Sequence, residues 1–185
     1  MKYNHTVIAT FQDRPNRFIA HVWVDGVLET VHVKNTGRCK ELLLPGAKVV
    51  LEVSDNPNRK TKYDLIAAYK GGLGLVNIDS QAPNKVAAEW LATQDYSYVK
   101  SEYTYGKSRV DFYMEKGDEK YLMEVKGCTL EMAGVNEVRP YGIMHKEFET
   151  AFEEAKKAGV EVIFLCCKVE EDSLTIENAI TENIG

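Results

Sequence analysis

The 185-residue sequence is 44% apolar and 28% charged, a composition that supports a folded core and excludes a mainly disordered chain. It has no apolar run of the about 18 residues needed to cross a bilayer, and its start lacks the pattern of a secretory signal. We therefore expect a cytoplasmic protein without a membrane partner. The charge is uneven, since residues 1–78 carry 11 Lys and Arg against 7 Asp and Glu, and the remainder carries 12 against 21. This split favours a polyanion-binding surface in the first part, although uneven charge without a role explains it equally well.

Short β-strands are predicted for the first part of the chain. Asp25-Gly26 separates two alternating apolar runs, residues 18–24 and 27–33, which predicts a hairpin with Val24 opposite Val27. One face of the hairpin consists mainly of valines, Val27 included, and is expected in the core. Bases could stack on the other face, or loops could cover it; it carries Ile19, His21, Trp23, Leu28, Thr30 and His32.

Further apolar runs at residues 41–44, 47–53 and 63–69 are separated by clusters of turn-forming residues. Short strands with regular turns predict a small β-barrel or sandwich. The turns are basic, and contacts between such side chains and phosphates dominate sequence-independent DNA binding. The predicted nucleic-acid-binding residues are Lys34, Arg38, Lys40, Arg59, Lys60 and Lys62.

The part of the sequence after residue 80 contains both helical and strand patterns. Pro83 suits a first helical turn, Asn84 is a candidate cap, and Gly159 ends the clearest helical pattern. The predicted order is helix, three strands, helix and strand, at residues 85–92, 96–105, 109–115, 121–130, 145–158 and 160–169. The cysteines lack Cys-x-x-Cys spacing, so buried free thiols are expected rather than zinc.

Charged residues on two of these strands could form a metal site. Period-2 alternation gives Asp111 one face of its strand and places Glu124 and Lys126 together on the next. Two carboxylates suit Mg²⁺, which could activate water for phosphodiester cleavage while Lys126 orients that water or stabilises the transition state. Glu89, on the preceding helix, could add a carboxylate. Taken alone, the pattern is more simply explained by a salt bridge on an exposed strand.

An ordered set of motifs extends across most of residues 15–130: Asn35-Thr36-Gly37-Arg38, Leu43-Leu44-Pro45-Gly46, Asn56-Pro57-Asn58-Arg59-Lys60, Gln81-Ala82-Pro83-Asn84, Ser108-Arg109-Val110-Asp111-Phe112 and Glu124-Val125-Lys126. Together they resemble the sugar fermentation stimulation protein family (SfsA). The resemblance implies a mixed α+β fold, with an OB-like β-barrel at residues 1–78 and a PD-(D/E)xK nuclease-like, restriction-endonuclease-like α/β domain at 79–185. It also implies DNA binding and a role in regulating sugar-utilisation genes, and places Asp111, Glu124 and Lys126 on the nuclease-type motif.

The chain departs from the family pattern after Thr129. Family members continue with an extra helix and strand, whereas here residues 131–144 lead directly to the helix predicted at 145–158. We expect the remaining helix and strand to replace the missing pair. Any catalytic residue on the missing helix would be lost.

Three functions are left open by the sequence. The first is DNA binding with Mg²⁺-dependent endonuclease activity, and the second is non-catalytic, DNA-binding regulation of sugar metabolism. The third is a protein-interaction module whose basic loops meet an acidic partner. Binding is expected to tolerate different sequences because no recognition helix is evident. Double-stranded and single-stranded DNA both remain candidates, and a homo-oligomer is compatible with the sequence.

Overall fold

The computed structural model describes residues 1–72, 74–127, 157, 159 and 162–182. It contains two compact units, one of Met1–Gly127 with Val169–Leu174 and one of Cys128–Lys168 with Thr175–Gly185. The sequence-based domain boundary after residue 78 stays a prediction. The described elements are β1 Thr6–Asp13, β2 Ile19–Val24, β3 Val27–Val33, β4 Lys48–Val53, β5 Tyr63–Lys70, β6 Gly74–Asn77, α1 Ala82–Leu91, β7 Tyr98–Tyr105, β8 Ser108–Lys116, β9 Glu119–Met123, β10 Val162–Val169 and β11 Leu174–Glu182.

Strands β1 to β5 close into a barrel. Antiparallel pairs join β1 to β2 and β4, β2 to β3, and β4 to β5. A parallel pairing of β3 with β5, with His32 opposite Asp64, completes the ring, and β6 pairs with β5. This closed five-stranded ring confirms the predicted OB-like barrel.

The Asp25-Gly26 hairpin has the predicted register, with Val24 opposite Val27. Both turn residues have positive φ, 50° and 81°, as a two-residue hairpin turn requires. Val27 is 59% exposed because it lies at the tip of the hairpin, so its predicted place in the core is wrong. The hairpin residues that do reach the core are Ala20, Val22, Val24, Val31 and Val33, each at most 8% exposed.

Other barrel elements differ from the predictions. The apolar run at residues 41–44 is not a strand but a turn segment, in which Leu42 and Leu43 are buried in the barrel core. Its apolar character therefore reflects a loop packed on the core. The strands β1 and β6 lie outside the sequence predictions. Cys39 has a buried, free thiol, as expected, whereas Cys128 lies outside the described residues.

After the barrel, α1 begins at Ala82, three residues earlier than predicted, with Pro83 in its first turn. Asn84 consequently lies within the helix rather than at its cap. Strands β7, β8 and β9 form an antiparallel meander, in the predicted order. The third strand ends at Met123, so the prediction that Glu124 and Lys126 lie within it is wrong.

The last described elements, β10 and β11, form a separate two-stranded sheet. The strand predicted at 160–169 is confirmed for Val162–Val169, whereas the predicted helix at 145–158 lies outside the described residues, apart from Lys157. Among the described residues, α1 is the one helix with defined bounds and Lys157 is also helical, and the restriction-endonuclease-like arrangement is not confirmed. That part of the chain contains no helix long and apolar enough to cross a membrane.

Candidate functional site

Two barrel loops lie beside the end of β3. The β1–β2 loop, residues 14–18, is joined to β3 by a hydrogen bond from the Val33 amide to the Phe18 carbonyl, 2.8 Å. The β4–β5 loop, residues 54–62, leads into β5, where Asp64 lies opposite His32 of β3. OB-type barrels commonly bind oligonucleotides on the β2–β3 face between these two loops. The outer surface of this region is therefore a candidate nucleic-acid interface.

Asp64 is the centre of an ion-pair cluster at this position. It is 4% exposed and accepts hydrogen bonds from Arg59, with Nη1–Oδ2 at 2.7 Å and Nη2–Oδ1 at 2.5 Å. The His32 Nδ1 atom lies 2.9 Å from the same carboxylate. Burial by itself raises the pKa of Asp64, but the hydrogen bonds from Arg59 and His32 outweigh it and hold that pKa below its ordinary value. Arg59 therefore anchors the β4–β5 loop.

Lys34 is also engaged inside the barrel. Its side chain is 16% exposed, and its Nζ atom lies 2.9 Å from Glu52, 3.5 Å from Asp79 and 3.8 Å from Asp64. Burial lowers the pKa of Lys34, but the hydrogen bond to Glu52 and the charges of the two aspartates raise it overall. This geometry favours a structural role for Lys34 over the predicted contact with phosphate.

The other four predicted binding residues, Arg38, Lys40, Lys60 and Lys62, are exposed on the barrel loops. The Lys62 ammonium lies 4.9 Å from the centre of the Tyr63 ring, and the hydrogen bond that it donates to the Tyr63 side chain raises the pKa of Lys62. Arg38, Lys40 and Lys60 form no ion pair with any residue in the described ranges. Their charges are available to a polyanion.

Sequence reasoning missed the two arginines of the β1–β2 loop. Arg14 donates four hydrogen bonds of 2.6–2.9 Å to backbone carbonyls, which belong to Arg17, Asn35, Gly37 and Arg38. It holds this loop against the start of the β3–β4 loop, residues 34–47. Arg17 is exposed, and its guanidinium lies 5.9 Å from the centre of the Phe18 ring, which is itself 51% exposed.

The sequence contains a signal for the buried acid Asp64, which the sequence analysis did not identify. Asp64 interrupts the apolar run Tyr63–Tyr69, and a carboxylate placed within a buried strand needs a cationic partner. For Arg14, by contrast, no spacing or composition distinguishes it from an ordinary loop arginine. Its role depends on carbonyl groups that the fold brings together.

In the second candidate site, both carboxylate oxygens of Asp111 are engaged. The Asn84 side-chain amide donates to Oδ1 at 2.8 Å, and the Val125 backbone amide donates to Oδ2 at 2.7 Å. Asp111 thus links α1, β8 and the segment after β9. Glu124 and Lys126 flank Val125, are 52% and 62% exposed, and pair with each other at 2.5 Å.

Glu89, the third predicted carboxylate of this site, pairs with a group outside it. It lies five positions after Asn84, which corresponds to about 140° around a helix, and it pairs with the N-terminal ammonium of Met1 at 2.6 Å. No group of three or more His, Cys, Asp or Glu that could hold a metal occurs in the part of the chain that the structure describes. The carboxylates of Asp111 and Glu124, with the amide oxygen of Asn84, still suit a hard divalent cation that retains several waters.

These features define a protein with a closed OB-like barrel, basic loops and a second, antiparallel sheet whose middle strand carries Asp111, with Glu124 just after its last strand. The sequence profile of the SfsA N-terminal OB domain matches residues 13–78, and that of the sugar fermentation stimulation protein RE domain matches residues 81–136. The chain belongs to the sugar fermentation stimulation protein family.

Relatives that align over nearly their whole length with this chain support the family assignment. The sugar fermentation stimulation protein homolog of Ruminiclostridium cellulolyticum is 40% identical over 223 residues, covering 97% of this chain and 98% of the relative. The homolog of Clostridium botulinum strain Hall is 40% identical over 231 residues, covering 100% of both. That alignment is 46 positions longer than this 185-residue chain, which agrees with the expectation of a missing segment. Its location after Thr129 stays a prediction.

A solved structure is also similar. It is the structure of Pyrococcus furiosus SfsA in complex with Ca²⁺, with a TM-score of 0.56 and 25% sequence identity. The match covers 67% of this chain and 55% of that one, so the shared part is about half the length of the solved protein.

Proposed function

We propose that this protein binds DNA through phosphate contacts from the basic loops of its barrel, with little dependence on base sequence. The observation that carries the proposal is the separation of its cations into two groups. Lys34 and Arg59 are paired with buried or half-buried acids, whereas Arg38, Lys40 and Lys60 are exposed and form no ion pair within the described ranges. Exposed, unneutralised cations supply the sequence-independent part of DNA affinity. The protein would act in the cytoplasm.

A second candidate function is metal-dependent cleavage of the phosphodiester at Asp111 and Glu124, in a nuclease-like second domain. The observation that favours it is the hydrogen bond from Val125 to Asp111, because it holds the neighbour of Glu124 against β8. The co-crystallisation of the Pyrococcus furiosus relative with Ca²⁺ supports a divalent-cation site.

In this proposal Asp111 and Glu124 hold the cation, which when bound supplies Lewis acidity and an activated water. Asn84 and Val125 orient the Asp111 carboxylate through their N–H donors. Lys126 pairs with Glu124 and would stabilise negative charge on a phosphate bound beside that carboxylate. The alternative is a non-catalytic DNA-binding regulator of sugar metabolism that retains this arrangement.

The deciding experiment incubates plasmid and single-stranded DNA with Mg²⁺ or Mn²⁺ and measures cleavage and binding in parallel. Wild type is compared with Glu124→Gln and with Glu119→Gln, which changes an exposed carboxylate on β9. Cleavage lost only in Glu124→Gln, with binding retained, establishes the nuclease. Binding without cleavage in all three favours the regulator. Failure to bind DNA even at low salt contradicts the main proposal.

A further inference from the structure

Glu102 has an uncommon backbone conformation for a residue in the middle of a strand. It lies within β7, yet its φ is 54°, in the left-handed region. This conformation is strained for a residue that carries a Cβ atom. The pairs on either side of it in β7 and β8 place Glu102 opposite Asp111. The strained residue is therefore the cross-strand neighbour of the carboxylate at the centre of the second candidate site.

The side chain of Glu102 pairs with Arg109, whose Nη2 atom lies 2.5 Å from the Glu102 Oε2 atom. Arg109 is two residues before Asp111 on β8, so the two side chains share one face of the sheet. The side chains of Arg109 and Glu102 are 64% and 70% exposed, which leaves the guanidinium accessible to a ligand. Because an exposed ion pair adds little to stability, the pair itself does not explain the strained backbone.

The left-handed residue also changes the position of Tyr103. Strict alternation would put Tyr103 and Tyr113 on opposite faces of the sheet, since Glu102 and Tyr113 both belong to the Asp111 face. Instead their rings stack, with centroids 4.4 Å apart and planes inclined by 19°. The stack offsets part of the strain and fixes the backbone around Glu102. Arg109 is therefore held from a defined position beside Asp111.

A similar pair of an acid and a cation lies on the other side of Asp111. Glu124, just after β9, pairs with Lys126 at 2.5 Å. The amide of Val125, between these two residues, donates its hydrogen bond to Asp111. One exposed cation thus lies on each side of the carboxylate. An arginine binds phosphate oxygens through two parallel N–H donors, and a lysine binds them as a point charge.

We propose that Arg109 contacts a phosphate of DNA at the Asp111 site, and that Glu102 is the positioning residue that holds the guanidinium there. The ligand is a phosphodiester contacted by Arg109 on one side and by Lys126 on the other. When it binds, phosphate oxygens replace the exposed Glu102 carboxylate as acceptors for the guanidinium. This inference rests on the cleavage site proposed above and adds a phosphate-binding residue to it.

The test deletes the ion pair without changing the net charge. Glu102→Gly combined with Arg109→Ala removes one acid and one base, and glycine accepts the positive φ of position 102. Affinity for a DNA duplex is measured against salt concentration in the presence of Ca²⁺. We expect the slope of log K against log salt to become smaller by about 0.9, the value for one lost phosphate contact. Arg109→Lys should retain most of the slope, because it keeps the positive charge.

The matched control is a second exposed ion pair of β8, in which Lys116 lies 3.6 Å from Asp95. Lys116→Ala combined with Asp95→Ala also preserves the net charge and should leave the slope unchanged. If the double variant at 102 and 109 does not fold, as measured by circular dichroism, Arg109→Ala is compared with Lys116→Ala instead. The same decrease of about 0.9 is then expected for Arg109→Ala.

The outcomes separate this inference from the proposed function. A slope that stays unchanged when the pair at 102 and 109 is deleted, or that falls equally in the control, would overturn the phosphate contact of Arg109. DNA binding by the wild type would in that case still support the proposed function. A wild-type protein that binds no DNA even at low salt would overturn both.

Discussion

The guanidinium of Arg59 contacts both carboxylate oxygens of Asp64, at 2.7 Å and 2.5 Å. Because Asp64 is the second residue of β5, this contact fixes the β4–β5 loop to the start of that strand. His32 reaches the same carboxylate from β3, beside the parallel pairing that closes the barrel. The next residue after Arg59, Lys60, is exposed. Adjacent cations in one loop therefore have different roles, one holding the loop and one facing solvent.

Replacing Asp64 should destabilise the barrel strongly. Asp64→Ala removes the carboxylate to which Arg59 donates two hydrogen bonds, and hydrogen bonds to charged groups are typically worth about 1.5–3 kcal/mol of unfolding free energy. Denaturant unfolding measures the change. Asp95→Ala is the control, because that side chain is 96% exposed, and it should change the free energy by less than about 0.5 kcal/mol. Equal effects of the two substitutions would contradict the proposed role of Asp64.

Acid should remove the contribution of Asp64. Because its pKa in the folded protein is below the ordinary value of about 3.9, Asp64 stabilises the fold above that pH and loses this effect as pH falls through the folded-state pKa. The difference in unfolding free energy between wild type and Asp64→Asn should be constant near neutral pH and shrink below about pH 4. A difference that does not vary with pH would show that the Asp64 charge has no stabilising role.

Lys60→Ala should weaken DNA binding without changing stability. Loss of one phosphate contact on duplex DNA lowers affinity for all sequences alike and reduces the slope of log K against log salt by about 0.9. Arg59→Ala should in addition lower the melting temperature, because it removes the anchor of the loop. Lys107→Ala, in the turn between β7 and β8, is the control. A salt slope unaffected by Lys60→Ala would exclude this lysine from the interface.

Arg14→Ala should destabilise the junction of two barrel loops. The substitution removes hydrogen bonds to four carbonyl groups, and even one such bond from a charged donor is worth about 1.5–3 kcal/mol. For a chain of this size we expect the melting temperature to fall by at least roughly 4 °C. The exposed neighbour Arg17 provides the control, and Arg17→Ala should leave the melting temperature nearly unchanged. Similar losses for both arginines would argue against the carbonyl contacts.

Asp111→Ala should lower stability as well as any cleavage activity. The amide groups of Asn84 and Val125 lose their acceptor, at a cost of about 1–3 kcal/mol each if they stay buried. Glu124→Gln should have little effect on unfolding, because Glu124 is about half exposed. Thermal unfolding of both variants distinguishes these outcomes. If Asp111→Ala is as stable as wild type, the carboxylate is not needed to join α1 to β8.

Local sequence was sufficient to predict the structure where the interacting residues are close in the chain. Asp25-Gly26 predicts its hairpin and register because the turn type sets the pairing of the strands beside it. The core positions of that hairpin follow from alternation, with the exception of Val27, whose place at the tip removes it from the barrel interior. The ordered motifs were also sufficient to identify the family.

The amino-acid sequence by itself determined the β-barrel character, the family and the surface where cations are concentrated. Only the tertiary structure decided which cations remain exposed, because the partners of Lys34 are Glu52, Asp64 and Asp79, residues distant in the chain. In the tertiary structure, Glu89 also pairs with the N-terminal ammonium of Met1, and β9 ends before Glu124. The physical reason is that turns and alternation act over a few residues, whereas burial and charge pairing depend on groups that meet only after the strands have closed.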